Sequence, residues 1–139
     1  MFISRNDFQR MSEGKLKDAR LLLENNRCSS AYYLAGYAVE FGLKAAACKI
    51  FLKECMPDKN FVNAIYTHKL NELLQLSGLK GRYDAAAAED RLLKANWATV
   101  SRWDEASRYA FIDEFRAVEM VNAVAEETSG VLPWLKRHW

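Results

Sequence analysis

The sequence predicts an all-α protein whose helices form an up-and-down bundle of four or five, in one domain spanning residues 1–139. Apolar residues recur at spacings of three and four along most of the chain, which is the period of a helix with one buried face. No stretch alternates between apolar and polar residues as a half-buried strand does. Half of the residues are apolar, so the chain can bury a core without a metal or a disulfide.

The first two helices are predicted in the N-terminal third of the chain. The first runs from about Asp7 or Met11 to Asn25, where a second asparagine follows and marks a turn. The second begins at Ser29–Ser30, whose hydroxyls suit an N-cap, and continues to about Leu52. Its apolar residues fall in two neighbouring stripes, so most of its circumference should be buried and it should be the central helix. The stripes are Leu34, Ala38, Phe41, Ala45, Cys48 and Leu52, and Tyr32, Ala35, Val39, Leu43, Ala46 and Ile50.

Two further helices are predicted in the middle of the chain. The segment Pro57–Asn60 first breaks the helical pattern. The third helix then spans Thr67–Leu76 and is ended by Gly78. The fourth runs from Asp84 to about Thr99 and opens with four alanines, which are strong helix formers.

The C-terminal part is predicted as an ordered loop followed by one long helix. The segment Ser101–Phe111 shows no clean period and is therefore interpreted as the loop. The helix starts near Asp113, since acidic residues suit the positive end of a helix dipole. Its repeat of three and four continues to Leu135, although Pro133 should kink or end it. His138 falls in a tail that is predicted to be a solvated end.

Charge and cysteine content narrow the class of protein. The net charge of +2 predicts neither strong affinity for duplex nucleic acid nor exclusion from it. The three cysteines (Cys28, Cys48 and Cys55) form no CxxC motif and are odd in number, which argues against a disulfide framework and a zinc site. Each is expected to be structural, with Cys48 buried. No apolar stretch is long enough for a signal peptide or a membrane span, so a soluble cytoplasmic protein without a membrane partner is expected.

A narrow polar strip on the second helix is the first candidate for function. Gly36, Glu40 and Lys44 follow one another at four-residue spacing between the two apolar stripes. A glutamate four residues before a lysine is the favourable order for a side-chain pair. Two interpretations remain open, namely an intrahelical ion pair at a seam of the bundle and a charged pair that lines a groove or a dimer interface.

The second candidate is the segment from Trp103 to Tyr109. It combines a loop position, Arg108 and two aromatic rings, which are the groups that contact single-stranded nucleic acid or nucleotides. The same residues also suit a structural corner in which Arg108 caps carbonyl groups and the rings seal the core. His68, predicted at the start of the third helix, is either a packing or capping residue or a base.

Motifs of well-known enzymes are missing from the sequence. It contains no GxxxxGK[ST] loop for phosphates, no HExxH zinc motif and no GxSxG nucleophile turn. We therefore expect no catalytic residue and no cofactor.

Four segments of the sequence resemble the HEPN family (higher eukaryotes and prokaryotes nucleotide-binding). The central helix "SAYYLAGYAVEFGLKA", residues 30–45, is similar to the signature helix of that family. Residues 19–26 "ARLLLENN", 67–70 "THKL" and 107–109 "SRY" follow in the expected order around it. The resemblance implies a helical bundle that forms a homodimer. It also implies a role beside a minimal nucleotidyltransferase in a toxin–antitoxin or defence pair.

The sequence departs from the catalytic branch of that family. That branch cleaves RNA with an arginine followed after four to six residues by a histidine. The positions that an arginine would need are occupied by other residues before both His68 and His138. These positions are Phe61, Val62 and Asn63, and Val131, Leu132 and Pro133.

Three functions are left open by the sequence. The first is a non-catalytic dimeric module that binds a nucleotide, RNA or a partner nucleotidyltransferase. The second is a metal-independent ribonuclease with a non-standard site, and the third is a structural helical adaptor. The candidate contacts for nucleotide or RNA are Arg108, Tyr109, Trp103, Glu40, Lys44 and His68. The expected homodimer is also favoured by a face of small residues that would permit close helix approach, namely Ala31, Ala35, Gly42 and Ala46.

Overall fold

The computed structural model describes residues 2–139, and within that range it contains eight α-helices, two short 3₁₀-helices and no β-strand. The prediction of an all-α fold is thereby confirmed. The helices are α1 (Arg5–Glu24), α2 (Cys28–Ala47), α3 (Lys59–Ala64), α4 (Leu70–Leu76), α5 (Lys80–Glu89), α6 (Arg91–Val100), α7 (Glu114–Ala125) and α8 (Val131–Lys136). The 3₁₀-helices are Cys48–Ile50 and Glu105–Tyr109. None of the helices among these residues has the length and apolar composition needed to cross a bilayer.

Helix α2 is the centre of the fold, as its two apolar stripes predicted. Twelve of its 20 residues are buried, and α1, α4, α7 and α8 all pack against it. It begins at Cys28 without a side-chain cap, so the predicted serine cap is wrong. The hydroxyl of Ser29 instead accepts a hydrogen bond from the backbone N–H of Ile112 at 2.9 Å and so ties α2 to the segment before α7.

The C-terminal ends of the two stripes are less buried than predicted. Helix α2 stops at Ala47, and the residues that follow it turn outward, with Leu52 70% exposed. Cys48 is half-buried, and this burial raises the pKa of its thiol, whereas Cys55 is exposed. Phe41 is also only partly buried, because it packs against the rings of Phe8 and Tyr37 near the surface of the bundle.

The face of small residues on α2 lies inside the monomer. Its three alanines are at most 2% exposed, and Gly42 is buried as well. A Cβ at Gly42 would meet the side chains of Leu135 and Leu132 at 3.2 and 3.4 Å. The small side chains therefore serve the packing of this chain's own helices, and the argument for a homodimer that rested on this face is wrong.

The predicted fourth helix is two helices, α5 and α6, which are separated at Asp90. The backbone of Asp90 is extended, and its carboxylate accepts a hydrogen bond from the N–H of Leu93 at 2.9 Å as the N-cap of α6. The missed helix α3 starts in the same way, with Asp58 accepting from the N–H of Phe61 at 2.8 Å. Aspartate is favoured at such N-caps because it satisfies a backbone donor that has no partner within the helix.

The predicted last helix is also divided, into α7 and α8. The carboxylate of Glu126 accepts hydrogen bonds from the N–H groups of Thr128 and Ser129, which turns the chain out of α7. A Cβ at Gly130 would lie 2.2 Å from the carbonyl oxygen of Glu126, so only glycine fits there. Pro133 lies in the first turn of α8, where a missing N–H removes no helical hydrogen bond.

The two helix breaks are bonded to each other. The hydroxyl of Ser129 donates to the carboxylate of Asp90 at 2.7 Å, and the side-chain amide of Asn96 donates to the carbonyl of Ser129 at 2.9 Å. The start of α6 therefore lies beside the end of α7, and the two helices run antiparallel. The resulting number of helices exceeds the four or five that the sequence predicted.

The C-terminal tail packs on the bundle, and the prediction of a solvated end is wrong. The ring of His138 lies 4.9 Å from that of Trp134. The backbone carbonyl of His138 accepts a hydrogen bond from the side chain of Lys49 at 3.0 Å. Burial of the imidazole, followed by the nearby cations Arg82 and Arg137, lowers the pKa of His138.

The paired helix breaks predict a loss of stability in acid. The N–H of Leu93 and the hydroxyl of Ser129 hold the pKa of Asp90 below its ordinary 3.8, and the N–H groups of Ser129 and Thr128 hold that of Glu126 below 4.5. The unfolded chain therefore binds protons at these two carboxylates more readily than the folded chain does. Because of this difference, the contribution of the two groups to the free energy of unfolding should be complete above about pH 5 and should fall as the pH drops through 4.5 and 3.8.

Urea unfolding at pH 7 and pH 3 measures this loss. The Asp90→Asn/Glu126→Gln variant keeps acceptors at both positions without the titrating groups, and should lose less stability between the two pH values than the natural chain. Equal losses in the two proteins would show that these carboxylates do not set the acid sensitivity.

Candidate functional site

A continuous chain of ionisable side chains joins the central helix to the second 3₁₀-helix. Lys44 Nζ lies 2.9 Å from Glu40 Oε1, and His68 Nδ1 lies 3.0 Å from both oxygens of Glu40. On the other side of the ring, His68 Nε2 lies 3.2 Å from Glu105 Oε2. Arg108 Nη1 completes the chain at 3.7 Å from the same Glu105 oxygen. We call these five residues the ionic chain.

Glu40 is the buried member of the ionic chain. It is 1% exposed. A carboxylate at that depth requires partners, because the loss of hydration of a lone buried charge costs on the order of several kcal/mol, which is more than most single contacts contribute. Lys44, on the next turn of α2, supplies one partner and His68 supplies the other. The predicted intrahelical pair of Glu40 and Lys44 is confirmed.

The second interpretation, a charged pair that lines a groove, has a structural counterpart for Lys44 alone. The side chain of Lys44 is 12% exposed and lines an apolar groove of about 330 Å³, whereas Glu40 does not line it. Phe8, Cys48 and Ile65 line the same groove.

His68 bridges two carboxylates and lies in the loop before α4, not at the start of a helix as predicted, because α4 begins at Leu70. Thr67 shapes this loop, since its hydroxyl donates to Glu72 at 2.8 Å and accepts from the N–H of Lys69 at 3.2 Å. Both ring nitrogens of His68 face carboxylates, so a neutral ring donates to one of them and only the imidazolium donates to both. The residue is therefore a bridge between the two carboxylates.

Trp103 forms the structural corner that the sequence left as one of two alternatives. It is 2% exposed, and a Cβ at Gly36 would lie 2.1 Å from its indole ring, so the indole occupies the slot that glycine leaves on α2. Its ring contacts those of Tyr37 and Tyr33, with centroids at 5.2 and 6.3 Å. The indole N–H is buried and has no hydrogen-bond partner among residues 2–139.

Tyr37 connects the aromatic corner to the ionic chain. Its ring lies 6.2 Å from that of His68, and its hydroxyl is 3.4 Å from that of Tyr33. Burial raises the pKa of Tyr37, and the hydrogen bond with Tyr33 and the nearby charges of Glu40 and Glu105 raise it further. The phenol of Tyr37 therefore stays protonated, and its oxygen accepts a hydrogen bond from the hydroxyl of Tyr33.

Arg108 and Tyr109 form the exposed end of the site. The Arg108 side chain is 44% exposed and Tyr109 is 78% exposed, and the guanidinium carbon lies 4.8 Å from the centre of the tyrosine ring. Within residues 2–139, Arg108 caps no carbonyl group, so it does not play the corner role that the sequence left open. The hydroxyl of Tyr109 raises the pKa of Arg108, which keeps the guanidinium cationic.

The structure brings all six predicted residues into one region but separates them into two groups. Arg108 and Tyr109 are accessible to a ligand, and His68 is partly so with a side chain 38% exposed. Glu40 and Trp103 are too buried to touch a ligand, and Lys44 is committed to Glu40. These three therefore lie behind the exposed pair and are not accessible themselves.

Glu105 is the member of the site that sequence reasoning missed. Glu105 lies three residues before Arg108, and oppositely charged side chains at this spacing meet on a helical turn. This spacing was the sequence feature that could have predicted the Glu105–Arg108 contact. Its contact with His68 spans loops far apart in the sequence and left no local trace. Among residues 2–139, no group of three or more histidine, cysteine or acidic side chains is arranged to hold a metal ion.

Together these features define the class of the protein, an all-α fold in which an ionic chain links a buried glutamate to an exposed arginine–tyrosine pair. Comparison of the chain with protein families, with curated proteins and with solved structures finds no match.

The steric slot at Gly36 predicts opposite effects of two glycine substitutions. Gly36→Ala should lower the free energy of unfolding by about 1–3 kcal/mol, because the indole of Trp103 must move. The matched control is Gly14→Ala on α1, where a Cβ meets nothing within 4 Å. It should raise stability by about 0.4–1 kcal/mol through the lower entropy of the unfolded chain. Urea unfolding of the two variants measures both effects, and a Gly36→Ala protein as stable as Gly14→Ala would contradict the slot.

Proposed function

We propose that this chain is a non-catalytic dimeric module that binds RNA or a nucleotide through Arg108 and Tyr109. The ionic chain is the observation that supports this proposal best. It links the buried carboxylate of Glu40 to the exposed guanidinium of Arg108, which lies over the exposed ring of Tyr109. The resemblance to the HEPN family agrees with this ligand class. It also leads us to propose a minimal nucleotidyltransferase as a partner, in a toxin–antitoxin or defence pair.

The exposed pair has the chemistry that single-stranded nucleic acid requires. The guanidinium of Arg108 offers a planar fork of donors to a phosphate, and the ring of Tyr109 offers a face on which a base can stack. The only ion pair of Arg108 among the described residues is the long contact with Glu105, between two side chains that are each more than 40% exposed. Such exposed pairs contribute little, so a phosphate can replace Glu105 as the partner of the guanidinium.

Two more arginines lie near the exposed pair. Arg102 and Arg116 line a polar depression of about 240 Å³ together with Ser107, and neither forms an ion pair with any residue from 2 to 139. Asp104 lines the same depression and would oppose an anion there. Asp113, also close in sequence, is engaged as the N-cap of α7. These arginines supply cationic surface on which the backbone of an RNA can continue beyond Arg108.

The geometry favours binding over the ribonuclease alternative. General acid–base cleavage requires a group that can accept a proton from the attacking hydroxyl. Each nitrogen of His68 faces a carboxylate within 3.2 Å, and the raised pKa of Tyr37 keeps its hydroxyl protonated, so that it has no free base to offer. We therefore propose that His68 acts as a positioning residue for Glu105 and for the 3₁₀-helix that carries Arg108.

Substitution of the exposed pair tests the proposed site. Arg108→Ala and Tyr109→Ala should each weaken the binding of a labelled single-stranded RNA oligonucleotide by about 5- to 150-fold, the equivalent of about 1–3 kcal/mol per stacked base or lost phosphate contact. The matched controls are Arg20→Ala on α1 and Tyr66→Ala, which remove an exposed arginine and a 74% exposed tyrosine elsewhere. Fluorescence anisotropy at low salt gives the affinities, and melting curves show that the fold is kept.

The other outcomes assign the remaining functions. A lower melting temperature of Arg108→Ala with unchanged affinity would contradict the site. Decay of the RNA in the presence of EDTA would instead support the metal-independent ribonuclease. If neither RNA nor any nucleotide binds to the natural chain at low salt, the structural adaptor is the function that remains.

A further inference from the structure

Three segments of the chain meet around the polar depression of about 240 Å³ that Arg102 and Arg116 line. Tyr32 comes from near the start of α2 and Arg116 from the first turn of α7. Arg102 and Ser107 come from the segment that links α6 to α7. Both arginines are exposed, and neither forms an ion pair among residues 2–139. The fold therefore brings two uncompensated cations to one small depression.

Two hydroxyl groups of the depression also lack a partner. Tyr32 is 6% exposed, and the guanidinium carbon of Arg116 lies 5.6 Å from the centre of its ring. The Tyr32 hydroxyl forms no hydrogen bond within residues 2–139, yet it is not shut off from solvent. The hydroxyl of Ser107 is buried and has no partner in that range either. Because buried polar groups almost always have partners, the two hydroxyls indicate an acceptor that comes from outside the chain.

The size of the depression suits a phosphate group but not a whole nucleotide. Sites that enclose a drug-sized molecule have volumes of roughly 300–1,000 Å³, and the depression lies below that range. A phosphate can enter it while the sugar and the base stay outside. Tyr109, which is 78% exposed, follows Ser107 by two residues on the same 3₁₀-helix, so their Cα atoms are at most roughly 7 Å apart. A base on the ring of Tyr109 therefore lies close to a phosphate in the depression.

The charges of the depression favour a terminal phosphate over a phosphate within a strand. Asp104 also lines it, so one carboxylate stands against two guanidinium groups. A terminal phosphate carries about 1.5–2 negative charges at pH 7, whereas a phosphate within a strand carries about one. The remaining positive charge attracts the terminal group more strongly, because Coulomb attraction grows with charge. Guanidinium groups also match phosphate oxygens through paired N–H donors.

We infer that this depression binds a terminal phosphate, the phosphomonoester of a nucleotide or of an RNA end. Arg102 and Arg116 compensate its charge. The hydroxyls of Tyr32 and Ser107 donate to its oxygens, that of Ser107 after a rotation about the Cα–Cβ bond. A strand that continues beyond Arg108 thus ends in the depression. The site rests on the proposed function only for the molecule that carries the phosphate.

Three forms of one labelled RNA oligonucleotide test the site: with a 5′-phosphate, with a 3′-phosphate, and with hydroxyls at both ends. In fluorescence anisotropy at low salt, one phosphorylated form should bind the natural chain about tenfold more tightly than the hydroxyl form, because charge-assisted contacts are gained. Arg102→Ala and Arg116→Ala should each remove most of this preference. Arg108→Ala should weaken the binding of all three forms and keep the preference. The control Arg20→Ala on α1 should change neither the affinities nor the preference.

Conservative substitutions distinguish a phosphate site from a surface that is merely cationic. Asp104→Asn removes the opposing charge and should strengthen the binding of the preferred form by about two- to fivefold. Tyr32→Phe and Ser107→Ala should each reduce the preference about threefold. Neither should lower the melting temperature, because these hydroxyls have no partner among residues 2–139 to lose. A surface that attracts RNA by charge alone would not respond to the loss of a hydroxyl.

Inorganic phosphate tests the depression without RNA. Compared with sodium chloride at the same pH and ionic strength, sodium phosphate should raise the melting temperature of the natural chain, because a ligand of the folded state stabilises it. The rise should disappear in Arg102→Ala/Arg116→Ala and persist in Arg108→Ala.

Three results would overturn the phosphate site: equal binding of the three RNA forms, no effect of inorganic phosphate, or an effect that the double variant retains. A failure of the proposed function gives a different pattern. If no RNA binds, but phosphate still protects the natural chain and not the double variant, the RNA site at Arg108 and Tyr109 fails and the phosphate site stands.

Discussion

The burial of the Glu40 carboxylate in the central helix is the constraint on which the rest of the site depends. A negative charge at 1% exposure is tolerated only where partners compensate its lost hydration. Lys44 is supplied by the same helix, but His68 must be brought from the loop before α4. The loop is therefore fixed against α2 by electrostatics, and His68 in turn fixes Glu105 and the second 3₁₀-helix.

A steric constraint acts on the same segment from the other side. The indole of Trp103 enters the slot at Gly36, four residues before Glu40 and on the same face of α2. The segment that follows Trp103 is thus held at two points, by packing at its start and by the bond from Glu105 to His68 further on. Held in this way, Arg108 and Tyr109 remain exposed, with the cation over the ring. Binding through such a preorganised pair costs less conformational entropy than binding through a free loop.

Local features of the fold and the site were predictable from the sequence, and long-range ones were not. The double stripe of α2 identified the central helix, and the spacing of Glu40 and Lys44 identified their ion pair. The breaks at Asp90 and Glu126 were missed because the apolar repeat continues through them. Each break is made by a side-chain bond to backbone N–H groups, which begins α6 at Asp90 and turns the chain out of α7 at Glu126.

The small-residue face and the glycine slot show the same limit. Periodicity shows that a face is closely packed but not what packs on it. The alanines of α2 favour close approach of a second copy, although the chain's own helices cover them. The spacing predicts a polar strip that includes Gly36, because the partner of this glycine, Trp103, lies far along the sequence. The bridge through His68 joins three separate segments, and no spacing in a single sequence reports such a contact.

A double-mutant cycle between Glu40 and His68 tests the central claim most directly. The free energies of unfolding of the natural chain, Glu40→Gln, His68→Gln and the double variant give the coupling between the two side chains. A coupling of about 1 kcal/mol or more is expected, since the pair is buried on one side and close in space. The exposed pair of Lys80 and Asp84, for which about 0.5 kcal/mol or less is expected, provides the reference cycle. Effects of Glu40→Gln and His68→Gln that add to within about 0.3 kcal/mol would contradict the claim that the buried glutamate holds the site through His68.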